Sequence, residues 1–230
     1  MCFSATASFS ASAILALVGI ASVKKVGTKS QLVFALIPIV FSIQQLTEGF
    51  VWITLVNSNY ERWQFIPIYI FVFFAQVVWT SWVPLSFFLI KKNLKRKKML
   101  FVLVIIGLLI SIYIFCCLLL FNVKAVTTPF HIHYKVNFPI PHFIIFSSFY
   151  FLTIVAPPLI SSIKKASIIG FLLFTSFLVT KIYFSDNVIS VWCFFAALTS
   201  LMVFIIMKDL NKGKIQLREI ALGLLKFKRS

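Results

Sequence analysis

The fold of this chain is indicated first by the segment Lys91-Lys92-Asn93-Leu94-Lys95-Arg96-Lys97-Lys98, which separates two long apolar runs. Seven such runs occur along the chain, and basic residues cluster only in alternate gaps between them and at the C-terminal end. These clusters hold eighteen of the 22 Lys and Arg residues. Because Lys and Arg beside a membrane span are retained on the cytoplasmic side, the sequence predicts seven transmembrane helices, with the N-terminus outside and the C-terminus in the cytoplasm.

The predicted architecture is all-α, with a seven-helix transmembrane domain over residues 1–207 and a cytoplasmic tail over residues 208–230. The spans are expected near 5–23, 31–56, 64–90, 99–121, 142–163, 166–184 and 187–207. The tail alternates basic and apolar residues, and Ile220, Leu224 and Phe227 fall on one helical face. We therefore expect a basic amphipathic helix on the cytoplasmic leaflet, and a frayed soluble tail is the alternative.

The composition agrees with a membrane protein. Hydrophobic residues make up 61% of the chain and charged residues only 12%, against about 25% charged residues in soluble domains. A net charge of +17 suggests nucleic-acid binding in a soluble protein. Here the charge lies in short clusters beside the spans, where attraction to anionic lipid headgroups is the simpler explanation. The expected partners are therefore membrane lipids at the cytoplasmic face, without nucleic acid.

Glu48 is the only acidic residue well inside a predicted span. An ionisable residue at that depth is costly and indicates a functional site. Gln44 and Trp52 each lie one helical turn from Glu48, and Gln45 lies three residues away, so these side chains form a polar stripe. Glu48 is the candidate catalytic or binding residue, and Gln44, Gln45 and Trp52 are candidate ligand-binding residues.

The third span brings further polar and aromatic side chains to a similar depth. They are Gln76, Trp79, Ser81 and Trp82, of which Gln76 and Trp82 are taken as candidate ligand-binding residues. The sequence leaves open which of them face the second span. A purely structural alternative also stays open, in which a neutral Glu48 is hydrogen-bonded to a glutamine and holds two helices together.

All three histidines lie on the predicted outer side. His131 and His133 project to the same face if their segment is extended, because side chains alternate along a strand. His142 begins the fifth span. Three imidazoles and the Glu48 carboxylate have the ligand composition of a zinc-like site with one position open for water, although the spacing matches no strong metal motif. The alternative is that these histidines form interfacial hydrogen bonds.

The N-terminal residues complete the candidate site. Removal of Met1 would leave Cys2 as an N-terminal thiol beside an amine, and a thiol buried at the outer end of the bundle is the alternative. Ser4 is expected at the same membrane depth as Cys2, at the outer end of the first helix. Ser8 and Ser12 have the four-residue spacing that lets helices approach closely in lipid, so we expect the first helix to pack against others.

Two segments resemble a known family. Met1-Cys2-Phe3-Ser4-Ala5-Thr6-Ala7-Ser8-Phe9 and Gln44-Gln45-Leu46-Thr47-Glu48-Gly49 are similar to segments of small bacterial multi-pass membrane proteins of unknown function that begin with MCFSA. The resemblance implies a multi-pass membrane protein and brings no known activity. We expect the protein in a bacterial cytoplasmic (inner) membrane. The resemblance also favours a working site where the first helix and Glu48 meet.

The sequence thus predicts an outward-facing polar pocket around Glu48 that binds a small or lipid-derived ligand for sensing or transport. A first alternative is a metal-dependent membrane hydrolase acting on a lipid, with Glu48 as general base and a zinc-like divalent ion held by the histidines. A second alternative is a structural membrane subunit. Whether the protein is an enzyme is left open.

Overall fold

The computed structural model describes residues 4–90, 93–128, 131–140, 143–163 and 165–210. This part of the chain is mostly helical, and six helical segments are long and apolar enough to cross a membrane. They cover Ala5–Val23, Lys29–Val56, Phe65–Ile90, Leu94–Leu120, Ala166–Tyr183 and Ser185–Leu210. Large apolar side chains on these segments are exposed, which soluble proteins avoid over large patches. The segments indicate a membrane protein. At the predicted fifth span a shorter apolar helix, Ile144–Ile160, is found.

Helices α1 to α9 and strands β1 and β2 follow one another in chain order. Their bounds are α1 Ala5–Val23, α2 Lys29–Ala35, α3 Ile37–Val56, α4 Phe65–Val72, α5 Trp79–Ile90, α6 Leu94–Leu120, β1 Val123–Thr128, β2 His131–Val136, α7 Phe143–Ile160, α8 Ala166–Tyr183 and α9 Val188–Thr199. Residues 202–210 are again helical. Each predicted span corresponds to one helix or to consecutive helices.

Helices α1 and α3 pack closely through small residues. The Ser12 hydroxyl donates to the Ser42 carbonyl over 2.9 Å, and the Ser42 hydroxyl donates to the Ser12 carbonyl over 2.8 Å. A Cβ added to Gly19 would overlap Ile39, and one added to Gly49 would overlap the ring of Phe9. The close approach expected from the serine spacing therefore occurs against α3.

The third span is interrupted where α4 meets α5. Residues Phe73–Val78 form a π-helical segment, a feature that leaves backbone carbonyls without their usual helical partners. Side chains of neighbouring helices fill these places, because Ser111 donates to the Val77 carbonyl over 2.7 Å and Tyr150 donates to the Ala75 carbonyl over 2.6 Å. The segment thus fixes α6 and α7 against the third span.

A two-stranded antiparallel hairpin joins α6 to α7, with Val123 paired to Val136 and Thr128 paired to His131. The hairpin lies between the fourth and fifth predicted spans, so it is an element that the all-α prediction does not include. Ile132 and Tyr134 are buried, and the Tyr134 ring stacks on Phe71 with 4.7 Å between the centroids. Apolar packing of one strand face onto α4 explains why this short hairpin is stable in the fold.

The main apolar core draws residues from α1 to α3 and from α5 to α9 and is rich in aromatic rings. Phe41 and Trp79 stack with 3.8 Å between their centroids, and Phe177 meets Trp192 edge to face at 5.1 Å. A second core lies under the hairpin. Most of the predicted amphipathic tail, residues 211–230, lies outside the described residues.

Candidate functional site

Glu48 lies at the centre of a buried polar cluster between α3 and α9. Its side chain is fully buried, and it is the one buried carboxylate among the residues that the structure describes. Ser190 donates to Glu48 Oε1 over 2.6 Å, and Gln45 Nε2 donates to Glu48 Oε2 over 3.3 Å. These bonds offset part of the cost of removing a carboxyl group from water, and the bond from Ser190 ties α9 to α3.

Gln44 extends the cluster toward α5. Trp79 Nε1 donates to Gln44 Oε1 over 2.6 Å. Because an indole N–H can only donate, this bond fixes the orientation of the Gln44 amide. Cys193 on α9 lies beside both Gln44 and Glu48. Residues of α3, α5 and α9 therefore meet at one point in the bundle interior.

Several buried polar atoms of this region have hydrogen-bonding capacity that no described residue uses. They are Ser8 Oγ, Gln45 Oε1 and Trp52 Nε1, whereas the Gln44 amide, whose oxygen accepts from Trp79, also interacts with the Cys193 sulfur. The contact between Phe9 and Gly49 places Ser8 at the level of Gln45 and Glu48. Each buried polar atom left without a partner costs roughly 1–3 kcal/mol. We call the set Ser8, Gln44, Gln45, Glu48, Trp52 and Ser190 the Glu48 cluster.

An apolar cavity of about 50 Å³ lies directly beside the Glu48 cluster. Its walls carry aromatic rings, including Phe41, Trp79 and Trp192, together with Cys193. Trp79 and Cys193 contact both the cavity and Gln44. Glu48 itself does not line the cavity. A small polar site and a small apolar site are thus separated by one layer of side chains.

The structure separates some of the residues that the sequence grouped together. Ser4 caps α1, its hydroxyl accepting from the Ala7 N–H over 3.2 Å. Trp82 lies almost one turn beyond Trp79 on α5 and donates to the Val33 carbonyl of α2 over 3.1 Å. Gln76 is half-buried within the π-helical segment. Cys2 and His142 lie outside the described residues, so the part that they were predicted to play stays a prediction.

The two described histidines both contact the connection between α8 and α9. The His131 ring meets Phe184 edge to face at 4.9 Å, and His133 Nδ1 contacts the Asp186 carbonyl. Both rings point to the same connection, which agrees with the prediction for an extended segment. Burial lowers the pKa of His131 below its usual value. Within the described ranges, no three His, Cys, Asp or Glu side chains are grouped to hold a metal ion, and the predicted site with His142 stays untested.

Ser190 was missed by the sequence reasoning. A single serine in an apolar run usually bonds to its own helix, as Ser86 does to Val83 and Ser148 does to Ile144. Nothing local distinguishes Ser190 from these two. Only the folded arrangement brings it to Glu48, 142 residues earlier in the sequence.

The family model of DUF6629, described as a family of unknown function, matches residues 1–216. The chain belongs to DUF6629. No curated protein matches the chain, and no solved structure matches it. The DUF6629 match covers all of the described residues, so the Glu48 cluster and the hairpin both lie inside the family's region. The expectation of a family without assigned activity is confirmed.

Proposed function

We propose that this DUF6629 protein is a seven-span protein of a bacterial cytoplasmic membrane whose Glu48 cluster binds the polar end of a small or lipid-derived ligand, for sensing or transport. The observation that carries the proposal is the set of buried donors and acceptors around Glu48 that no described residue uses. A folded protein rarely leaves several such atoms together in its interior. A bound polar group would give them partners.

The position of α7 supports seven spans. The guanidinium of Arg96, at the start of α6, donates to the Ile160 carbonyl at the end of α7 over 3.3 Å. Tyr113, near the other end of α6, contacts the Pro139 carbonyl just before α7. Helix α7 therefore returns along α6. Its 18 residues rise about 27 Å at about 1.5 Å each, close to the roughly 30 Å of a bilayer core.

The unused atoms specify the kind of group that the ligand offers. Trp52 Nε1 is a donor and calls for an oxygen acceptor, whereas Gln45 Oε1 calls for a donor. A hydroxyl, amide or carboxylic acid group meets both requirements. The apolar cavity is separated from these atoms by Trp79 and Cys193, so an apolar part of the same molecule reaches it only if these side chains move. The need for both an acceptor and a donor favours a small organic molecule over an inorganic ion.

The proposal is tested by measuring what the purified protein retains. Wild type, Glu48→Gln and Ser86→Ala are purified in the same mild detergent and compared by native mass spectrometry and by analysis of extracted small molecules. Ser86→Ala is a matched control, because Ser86 is buried and its hydroxyl bonds to the Val83 carbonyl of its own helix. We expect one stoichiometric compound in wild type and the control, and its loss in Glu48→Gln. Equal retention in all three, or none in wild type, would contradict the proposal.

A structural role is the second candidate, and the bond from Ser190 to Glu48 favours it. On that account the cluster only holds α9 against α3, and substitutions lower stability without releasing a compound. The metal-dependent hydrolase stays a prediction. Metal analysis of wild type beside His131→Ala/His133→Ala and Glu48→Gln tests it, since a zinc-like ion lost in both variants would support that role.

A further inference from the structure

An open groove of about 590 Å³ lies at the opposite end of the molecule from the hairpin, where α5 and α7 end and α8 begins. Its lining residues are of two kinds. The polar ones, which we call the polar wall, are Asn93, Ser161, Ser162, Lys165 and Asp209, and the apolar ones, which we call the apolar wall, are Phe87, Ile90, Ile163, Ile206 and Leu210. We call it the basic groove. A ligand that fills it must have both a polar part and an apolar part.

Lys165 lines the groove, and Arg96 contacts the lining residue Ser162. Arg96 Nη1 donates to Ser162 Oγ over 3.4 Å and to the Ile160 carbonyl over 3.3 Å. These bonds to described residues hold the guanidinium beside the groove through one of its three nitrogens, and a guanidinium has further N–H groups that can bind a ligand. Lys165 Nζ is 2.7 Å from Asp209 Oδ2. Asp209 repels an anion, but Lys165 neutralises its charge. Together with Arg96, these three groups carry a net charge of +1.

We infer that the basic groove binds an anionic phospholipid, with the lipid phosphate at Arg96, Lys165 and the two serines and an acyl chain along the apolar wall. Arginine binds phosphate oxygens through parallel N–H groups, and basic pockets between helices at the cytoplasmic face are suited to anionic headgroups. The apolar wall argues for a lipid over a free anion. The inference requires that the helices span a membrane; it does not depend on a ligand at Glu48.

The test uses the detergent-purified full chain, titrated with phosphatidylglycerol, phosphatidylcholine or inorganic phosphate and followed by native mass spectrometry of adducts and by thermal unfolding. We expect phosphatidylglycerol to bind and to raise the unfolding temperature at concentrations where phosphatidylcholine and inorganic phosphate have no effect. Equal effects of the two lipids would overturn the inference, as would inorganic phosphate acting as strongly as phosphatidylglycerol.

Variants locate the site. Arg96→Gln should weaken phosphatidylglycerol binding about tenfold or more, because a charge-assisted bond is lost. Lys181→Gln is the control of equal charge, at the far end of α8 from Lys165, and should leave binding unchanged. An equal loss of phosphatidylglycerol binding in both variants would mean that general charge attraction holds the lipid, and the proposed site would be wrong. Should Arg96→Gln fail to fold, Ser162→Ala decides, and unchanged phosphatidylglycerol affinity in that variant would contradict the site.

Discussion

The Glu48 cluster and the basic groove are both polar regions of an apolar molecule, but one is sealed and the other is open. Glu48 is 0% exposed, whereas the side chains of Lys165 and Asp209 are 44% and 47% exposed. Water cannot enter the sealed region to replace a hydrogen bond that is lost there, so the loss leaves an unpaired buried group. An ion pair in the open groove competes with water and contributes little to stability. Substitutions in the Glu48 cluster should therefore change the free energy of unfolding, whereas substitutions in the basic groove should change lipid binding.

The largest effect is expected from Glu48→Leu. It removes the acceptor of both Ser190 and Gln45, so the free energy of unfolding should fall by about 3 kcal/mol. Glu48→Gln keeps the shape and at least one bond and should cost less than about half of that. Thermal unfolding in detergent measures both. If both variants lower the free energy of unfolding equally, burial of the Glu48 side chain contributes more to stability than its hydrogen bonds.

A smaller effect is expected from Ser190→Ala. This change removes one donor to Glu48 and should lower the free energy of unfolding by about 2 kcal/mol. Ser86→Ala serves as its control, since that hydroxyl bonds to the Val83 carbonyl of its own helix, and a cost below about 1 kcal/mol is expected there. If the two alanine variants are equally stable, the bond between α3 and α9 contributes nothing measurable.

Acidification should weaken the hairpin contact. Burial lowers the pKa of His131, so between its usual value near 6.5 and the lower folded value only the unfolded chain takes up the proton. Stability is therefore full above about pH 6.5 and falls as the pH drops through this window. His131→Phe keeps a ring against Phe184 and should lose that part of the pH dependence. Unfolding temperatures from about pH 7.5 to about pH 5 measure it, and identical profiles would contradict it.

The smallest change in stability is expected from Lys165→Gln in the open groove. Its ion pair with Asp209 is about half exposed, so the free energy of unfolding should change by less than about 0.5 kcal/mol. The same variant should nevertheless bind phosphatidylglycerol more weakly than wild type. A large loss of stability without added lipid would remove the contrast between the two regions.

Much of the helical layout could be predicted from the sequence, because charge clusters and apolar runs are long-range patterns that need no contact information. The hairpin could not, since β1 and β2 have only six residues each and their stability comes from packing on Phe71. The π-helical segment also leaves no pattern of its own. Its carbonyl partners, Ser111 and Tyr150, come from other helices.

The candidate site was predicted in part. Glu48 stands out in the sequence because a carboxylate in an apolar span is rare, and Gln44, Gln45 and Trp52 follow from helical spacing. Which residues of other helices meet them depends on how each helix is rotated, and helical spacing within one span does not determine that. Trp79 and Ser190 are therefore found only in the structure.

The most direct test of a ligand at the Glu48 cluster is Trp52→Phe. Trp52 Nε1 is buried and has no partner among the described residues, so removing it relieves about 1 kcal/mol of desolvation cost in the ligand-free protein, which offsets the packing lost with the smaller ring. If the N–H binds a ligand, the same change should reduce the compound that the purified protein retains. The measurement is the amount of this compound per chain in wild type and Trp52→Phe, beside their unfolding temperatures after its removal. Less compound with equal or higher ligand-free stability is the predicted result; unchanged retention with lower stability would contradict it.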